Sequence, residues 1–197
     1  MKKSRSMLLL LFILLLPVSI MAGCAQSGSG TAQASAEPKK PETKSSQVET
    51  KETDWTKPTG GTYPDIKKKP VWIDVSTEKQ RAYIKEGSKT LYTMVISSGL
   101  DRSDDESTPK GTFYIQPERG KWFFSLGYKE GAEYWVSWKN HGEFLFHSVP
   151  MTENKKVIEK EAKKLGTKAS HGCIRLAIPD AKWIYENIPV KTKVVIS

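Results

Sequence analysis

From Pro70 to its last residue the chain is a succession of short apolar or alternating runs, each four to eight residues long and each cut off by a turn. Runs that short suit strands better than amphipathic helices, which need ten residues or more. Strands are therefore expected at Val71–Val75, Arg81–Lys85, Thr90–Ser97, Gly111–Gln116, Lys121–Phe124, Tyr134–Trp138, Phe144–His147 and Lys193–Ile196. Glu86–Lys89 reads as a hairpin turn, and the polar, acidic Leu100–Lys110 as a surface loop. Trp72, Tyr83, Tyr92, Phe113, Trp122, Phe124, Trp135 and Phe146 are expected to supply much of the core. Two helices interrupt the pattern. Glu153–Leu165 follows Thr152 as N-cap, places Ile158, Ala162 and Leu165 on one face, and ends at Gly166. Pro179 opens the second, which runs to about Asn187. The 128 residues from Pro70 to Ser197 are enough for one core and not for two. The expected fold class is mostly β with two short helices.

Ahead of this domain the composition changes. Lys2, Lys3 and Arg5 precede an apolar stretch from Met7 to Ile20, and Met21-Ala22-Gly23 leads to Cys24. That is the build of an export signal, too short for a bilayer core that needs roughly twenty apolar residues. The Ala-Gly-Cys ending resembles a bacterial lipobox. Residues 1–23 are thus expected to be a lipoprotein signal peptide and Cys24 the lipidated mature N-terminus, with an uncleaved signal anchor as the alternative. Either reading places the rest of the chain outside the cytoplasm, membrane-tethered and facing the cell wall. Residues 24–66 are rich in Ser, Thr, Lys, Glu and Pro, cannot offset the entropy of ordering, and read as a disordered tether. Trp55 and Tyr63 are its aromatics and are expected to pack on the domain's edge. The folded domain is expected at 67–197.

The net charge of +9 is spread along the chain: +3 in the leader, +2 from 25 to 69 and +4 beyond. A mild excess favours anionic wall polymers or lipid headgroups and lacks the basic stripe of a nucleic-acid binder.

With Cys24 consumed, Cys173 is the only thiol left. A lone cysteine in an oxidising compartment is a candidate nucleophile. Its thiolate needs a base, and the chain offers His141, His147 and His171. His171 is two residues away and, in an extended stretch, about 7 Å distant, too far for a direct hydrogen bond. His147 closes an apolar strand and can approach from a neighbouring one. His141, beside Gly142, reads as a turn residue. Gly172 removes bulk where the backbone N–H groups of an oxyanion hole would stand. A zinc site from His147, His171 and Cys173 lacks an obvious fourth ligand, so no metal and no cofactor is expected. Papain-like hydrolases run cysteine before histidine, and sortases place a Thr-Leu-x-Thr run before the cysteine. Neither fits.

Ser170-His171-Gly172-Cys173, preceded by His147-Ser148, resembles the signature of L,D-transpeptidases with the YkuD-type catalytic domain. Ile73-Asp74-Val75, Ser97-Ser98-Gly99 and Thr108-Pro109-Lys110-Gly111-Thr112-Phe113 agree with it, from about Pro70 to Ile196. The resemblance implies a β-sandwich or barrel-like domain that acts as a cysteine acyltransferase on peptidoglycan stem peptides. Cys173 would attack the third-position carbonyl and expel D-alanine, and the thioester would pass to a neighbouring stem as a 3→3 cross-link. His147 would be the general base, its ring oriented by the Ser148 carbonyl. The N–H groups of Gly172 and Cys173 would hold the oxyanion, and Ser170 and His171 would shape the site. Arg175 would order the loop or meet a substrate carboxylate. Carbapenem-type β-lactams are expected to acylate Cys173, and the enzyme is expected to be a monomer without nucleic-acid partners. An L,D-carboxypeptidase or cross-link hydrolase, or a non-catalytic wall-binding lipoprotein, are the alternatives. Twenty-two residues separate His147 from Ser170, against a mid-teens spacing in the family. The surplus falls on Glu153–Leu165 and is read as an insertion that remodels the lid.

Overall fold

The computed structural model describes residues 52–197; the leader, Cys24 and the tether up to residue 51 lie outside the described residues. Strands β1 (Val71–Ser76), β2 (Arg81–Glu86) and β3 (Lys89–Ser97) form an antiparallel meander. The turn into β3 is Gly87-Ser88, with Gly87 at φ 55°, the left-handed conformation that two-residue connections favour. β4 (Gly111–Tyr114), β5 (Arg119–Ser125), β6 (Glu130–Lys139), β7 (Phe144–Ser148), β8 (Ile174–Leu176) and β9 (Lys193–Ile196) complete a sheet in the order β4-β9-β1-β2-β3-β8-β7-β6-β5. The pairs β1–β9 and β7–β8 are parallel.

The sheet curls until its two halves meet. Gln116 donates its N–H to Ser137 O at 2.8 Å, and the Ser137 N–H reaches Glu118 O at 2.9 Å. Phe113 of β4 meets Trp138 of β6 edge-on, with ring centroids 4.9 Å apart. Helix α2 (Ile178–Asn187) adds Ala181, Trp183 and Ile184 to the core of this half-barrel. Burial of each larger apolar side chain there stabilises by about 1.5–3 kcal/mol.

All eight expected strands are present; β8 is additional. Of the eight aromatics expected in the core, only Tyr92 and Phe146 are buried. The interior belongs mainly to Ile, Val, Leu and Met, with Trp138, because most of the other aromatics stand on strand faces only partly covered.

The helix expected over 153–165 shrinks to α1 (Glu159–Ala162). Met151 and Val157 pair as an antiparallel bridge around a tight loop in which Lys155 has φ 58°, and that loop stops the helix from starting at Glu153. Gly166, at φ 103°, ends the segment as expected. Ala162 and Leu165 pack with Val149 and Ala177 in a second, smaller core.

The folded body also begins before residue 67. The Ile178 N–H donates to Trp55 O at 2.9 Å. Thr59 Oγ1 and Tyr63 Oη donate to the two oxygens of Asp180 at 2.5 and 2.8 Å. Tyr63 stacks on Trp183 at 5.4 Å, and Ile66 joins the core. A polar stretch is ordered here because one buried carboxylate gathers its hydroxyls.

Candidate active site

In the parallel pair β7–β8, Phe146 lies opposite Ile174, His147 opposite Arg175 and Ser148 opposite Leu176. Side chains alternate between faces along a strand. Phe146 and Ile174 enter the core, so His147 and Arg175 project to the other side. Cys173 precedes Ile174 and returns to the His147 side. His147, Cys173 and Arg175 thus line one cleft of about 700 Å³. Phe123 and Phe144 are its apolar walls, and the turn between β5 and β6 overhangs it with Ser125 and Tyr128.

His147 is 6% exposed and meets Phe123 edge-on at 5.5 Å. Its Nδ1 lies 2.7 Å from Ser148 O. A carbonyl only accepts, so Nδ1 carries the proton and Nε2 keeps its lone pair. The Ser148 hydroxyl meanwhile accepts from the Glu133 N–H at 2.9 Å, tying β7 to β6. Burial, reinforced by the Arg175 charge, holds the His147 imidazole down at about 4. Cys173 is half-buried, and its sulfur reaches Glu143 O at 3.6 Å. The surrounding protein pushes its thiol up to about 11, against the opposing influence of the Leu145 backbone and Arg175. Both shifts favour the neutral forms of the thiol and the imidazole.

The turn carrying Cys173 is clamped from within. Ser170 Oγ accepts the Gly172 N–H at 3.1 Å and donates to Cys173 O at 2.5 Å. Thr108 Oγ1 donates to Gly172 O at 2.9 Å, and the Ala169 and Ser170 N–H groups both reach Ser98 O. Gly172 has φ 113°, and a Cβ there would stand 2.8 Å from Phe144 Cε1 and 3.0 Å from Ser107 O. Only glycine fits this position without strain. The Gly172 N–H is thus engaged by Ser170 within the turn.

Arg175 is engaged by the chain's own carboxylates. Its side chain is 6% exposed, with Nη1 on Glu161 at 2.9 Å and Nη2 on Glu130 at 3.2 Å. Both ends of the guanidinium are thus taken by carboxylates of the protein itself. His171 stands at the rim, stacked on Tyr128 at 4.4 Å and 3.9 Å from Glu106. Among the described residues no three His, Cys, Asp or Glu side chains converge as metal ligands. His141 is an exposed turn residue bonded to Glu118 at 2.9 Å. Of residues 150–168, Pro150 lines the cleft, while Met151 pairs with Gly131 and Glu161 with Arg175, two partners that both line it. Glu130, Glu143, Glu161 and Thr108 are site residues that the sequence reading passed over. Thr108 lay inside a noticed motif, whereas the glutamates carried no local signal.

The sequence profile of the L,D-transpeptidase catalytic domain, YkuD, matches residues 70–196. The chain is 78% identical over 144 residues to a Bacillus subtilis (strain 168) protein named "Putative L,D-transpeptidase YciB", a match covering 73% of this chain and 74% of that protein. An L,D-transpeptidase structure from Mycobacterium smegmatis superposes with a TM-score of 0.52 at 20% identity, over 65% of this chain and 58% of that one. One from Mycobacterium tuberculosis H37Rv gives 0.52 at 18%, over 65% and 57%. The chain thus spans less than two thirds of the length of these two structures, and at such identities the likeness concerns the fold.

Proposed function

Because this chain belongs to the YkuD family of L,D-transpeptidase catalytic domains, we propose that it is a cysteine-dependent peptidoglycan L,D-transpeptidase with Cys173 as nucleophile and His147 as general base. One observation supports this reading: His147 on β7 and Cys173, one residue ahead of the parallel strand β8, line the same cleft, with His147 Nδ1 tied to Ser148 O.

With the thiol and imidazole both favoured in their neutral forms, proton transfer accompanies attack. The substrate carbonyl enters, sulfur attacks, and His147 Nε2 takes the thiol proton as the C–S bond forms. The Leu145 backbone facing the sulfur favours its charged form. With the Gly172 N–H engaged by Ser170, the oxyanion falls to the Cys173 N–H of the two motif donors. His147 then returns the proton to the departing D-alanine amine as the C–N bond breaks, leaving a thioester. The side-chain amine of a neighbouring stem attacks that thioester and gives its proton to His147. Sulfur leaves and recovers the proton, and a 3→3 cross-link remains. His171 shapes the rim through its stack on Tyr128. Residues 1–23 act as the signal and Cys24 as the lipid anchor, and the tether lets a monomeric domain work in the wall outside the cytoplasm.

The test mixes the full-length chain with disaccharide-tetrapeptide and weighs the products. Dimers that have lost one D-alanine, absent with Cys173→Ala, are expected. Tripeptide monomers without dimers would make the enzyme a carboxypeptidase, and unchanged substrate would remove the proposal. A carbapenem is expected to add its mass to Cys173, and an adduct persisting in Cys173→Ala would count against the assignment.

A further inference from the structure

The cleft's one guanidinium is its least accessible charge. Arg175 sits opposite His147 in register and two residues beyond Cys173, yet both ends of its fork are occupied by carboxylates from distant parts of the chain. Glu130 comes from the start of β6, next to the turn that overhangs the cleft. Glu161 comes from α1, within the segment that lengthens the His147–Ser170 interval. Glu161 uses both oxygens, one on Arg175 at 2.9 Å and one on Lys164 at 2.5 Å. A charge relay of position thus runs inward: Lys164 at the surface, Glu161, Arg175, and Glu130 on the far side.

A buried guanidinium held by two half-buried carboxylates is not what packing alone would select. Apolar residues of similar volume often serve stability as well or better. The second core next to α1, with Ala162, Leu165 and Val149, offers an apolar setting in which Glu161 is the exception. Its carboxylate reaches Arg175, which lines the cleft beside Cys173 and His147. Arg175 disfavours the imidazolium of His147 and favours the thiolate of Cys173.

We infer that Glu161 and Glu130 are positioning residues that hold Arg175 beside the Cys173–His147 pair and temper its charge, so that the 151–168 segment tunes the chemistry without touching substrate. This rests on Cys173 being the nucleophile. The other charged groups facing the pair are Glu143 beside the sulfur, Asp104 and Asp105 across the cleft, and His171 at the rim. All of them remain in the variants below, so a change reports on the cluster.

Neutralising Glu161 while keeping its shape unmasks Arg175. The full-length chain is alkylated with iodoacetamide from about pH 6 to about pH 12, a range that brackets a thiol pushed up to about 11, and Cys173 is followed by the mass of its peptide. Glu161→Gln is expected to lower the pH midpoint by roughly half a unit to one unit, which speeds alkylation at pH 8 by about 3- to 10-fold. Glu130→Gln moves the midpoint in the same direction, and Glu161→Asp, which keeps the charge, leaves it in place. An unshifted midpoint in both glutamine variants overturns the inference, as does an aspartate variant that shifts as far as glutamine. If Glu161→Gln does not fold, Glu130→Gln carries the test alone. Alkylation needs no peptidoglycan, so a chain that makes no dimers can still pass, and one that makes dimers can still fail.

Discussion

Replacing Ser170 with alanine removes a single hydroxyl and two hydrogen bonds at the turn that presents the thiol. Ser170 is 2% exposed, accepts from the Gly172 N–H at 3.1 Å and donates to Cys173 O at 2.5 Å. Water cannot replace the hydroxyl without opening the turn, because Thr108 and Ser98 close it from the other side. A buried donor or acceptor left without a partner costs about 1–3 kcal/mol. With some relaxation allowed, Ser170→Ala should lose about 2–4 kcal/mol. In a folded body of 146 described residues, each kcal/mol moves Tm by about 2–4 °C, so a fall of roughly 5–15 °C is expected by differential scanning fluorimetry. Chemistry should suffer more than stability, since a nucleophile misplaced by about 1 Å can cost about 100-fold in rate. The rate of Cys173 acylation by a carbapenem measures that loss. A variant with Tm within about 1 °C of the parent and an acylation rate within about twofold would refute the clamp, because both bonds would then contribute nothing.

Three further outcomes follow from the same geometry. The acylation rate should stay level across neutral pH and fall only as the solution is acidified through about 4, where the buried His147 takes up a proton; an acid limb near the ordinary histidine range of about 6.5 would contradict its burial. Asp180→Asn leaves Thr59, Tyr63 and Tyr92 without the carboxylate that receives their hydroxyls. It should destabilise by about 2–4 kcal/mol and open residues 54–66 to limited proteolysis, and an unchanged digest would sink the strap's role. Burial raises the Asp180 carboxyl although the Thr59, Tyr63 and Tyr92 hydrogen bonds oppose the rise, so the net balance at this group favours its protonated form. Its contribution is retained at low pH and declines as pH rises through the raised value, so acidification alone should not release the strap. Gly172→Ala puts a methyl group against Phe144 and Ser107 O at φ 113° and should reduce acylation by at least about 10-fold, while Gly142→Ala, whose Cβ meets nothing within 4 Å, should cost only the strain of its own positive φ.

What the sequence disclosed depended on how local each signal was. The eight expected strands were legible because alternation and turn residues are carried by neighbours in sequence. β8 was not, since Ile174-Arg175-Leu176 is three residues long and buried throughout, with an arginine that only distant glutamates make tolerable. The 153–165 helix failed for a related reason: the spacing of Ile158, Ala162 and Leu165 is helical, but the Met151–Val157 bridge takes the first half of the segment. Trp55 and Tyr63 were correctly placed against the domain, yet the stretch around them looked too polar to fold. Asp180, more than a hundred residues away, is what orders it. At the site, Cys173, His147 and the Ser148 carbonyl lie together as the motif implied, because strand order and register put them there. The paired fork of Arg175 is a tertiary fact with no counterpart in the motif, whereas the Gly172 N–H is engaged by Ser170 from within it.

The most direct measurement traps the acyl-enzyme. The full-length chain is mixed with a tetrapeptide-stem donor, quenched in acid and weighed intact and after digestion. A hydroxylamine-labile adduct equal to the donor minus D-alanine, on the Cys173 peptide and missing from Cys173→Ala, is the predicted result. Turnover of the donor with an adduct on another residue, or with the adduct retained in Cys173→Ala, would contradict Cys173 as the nucleophile.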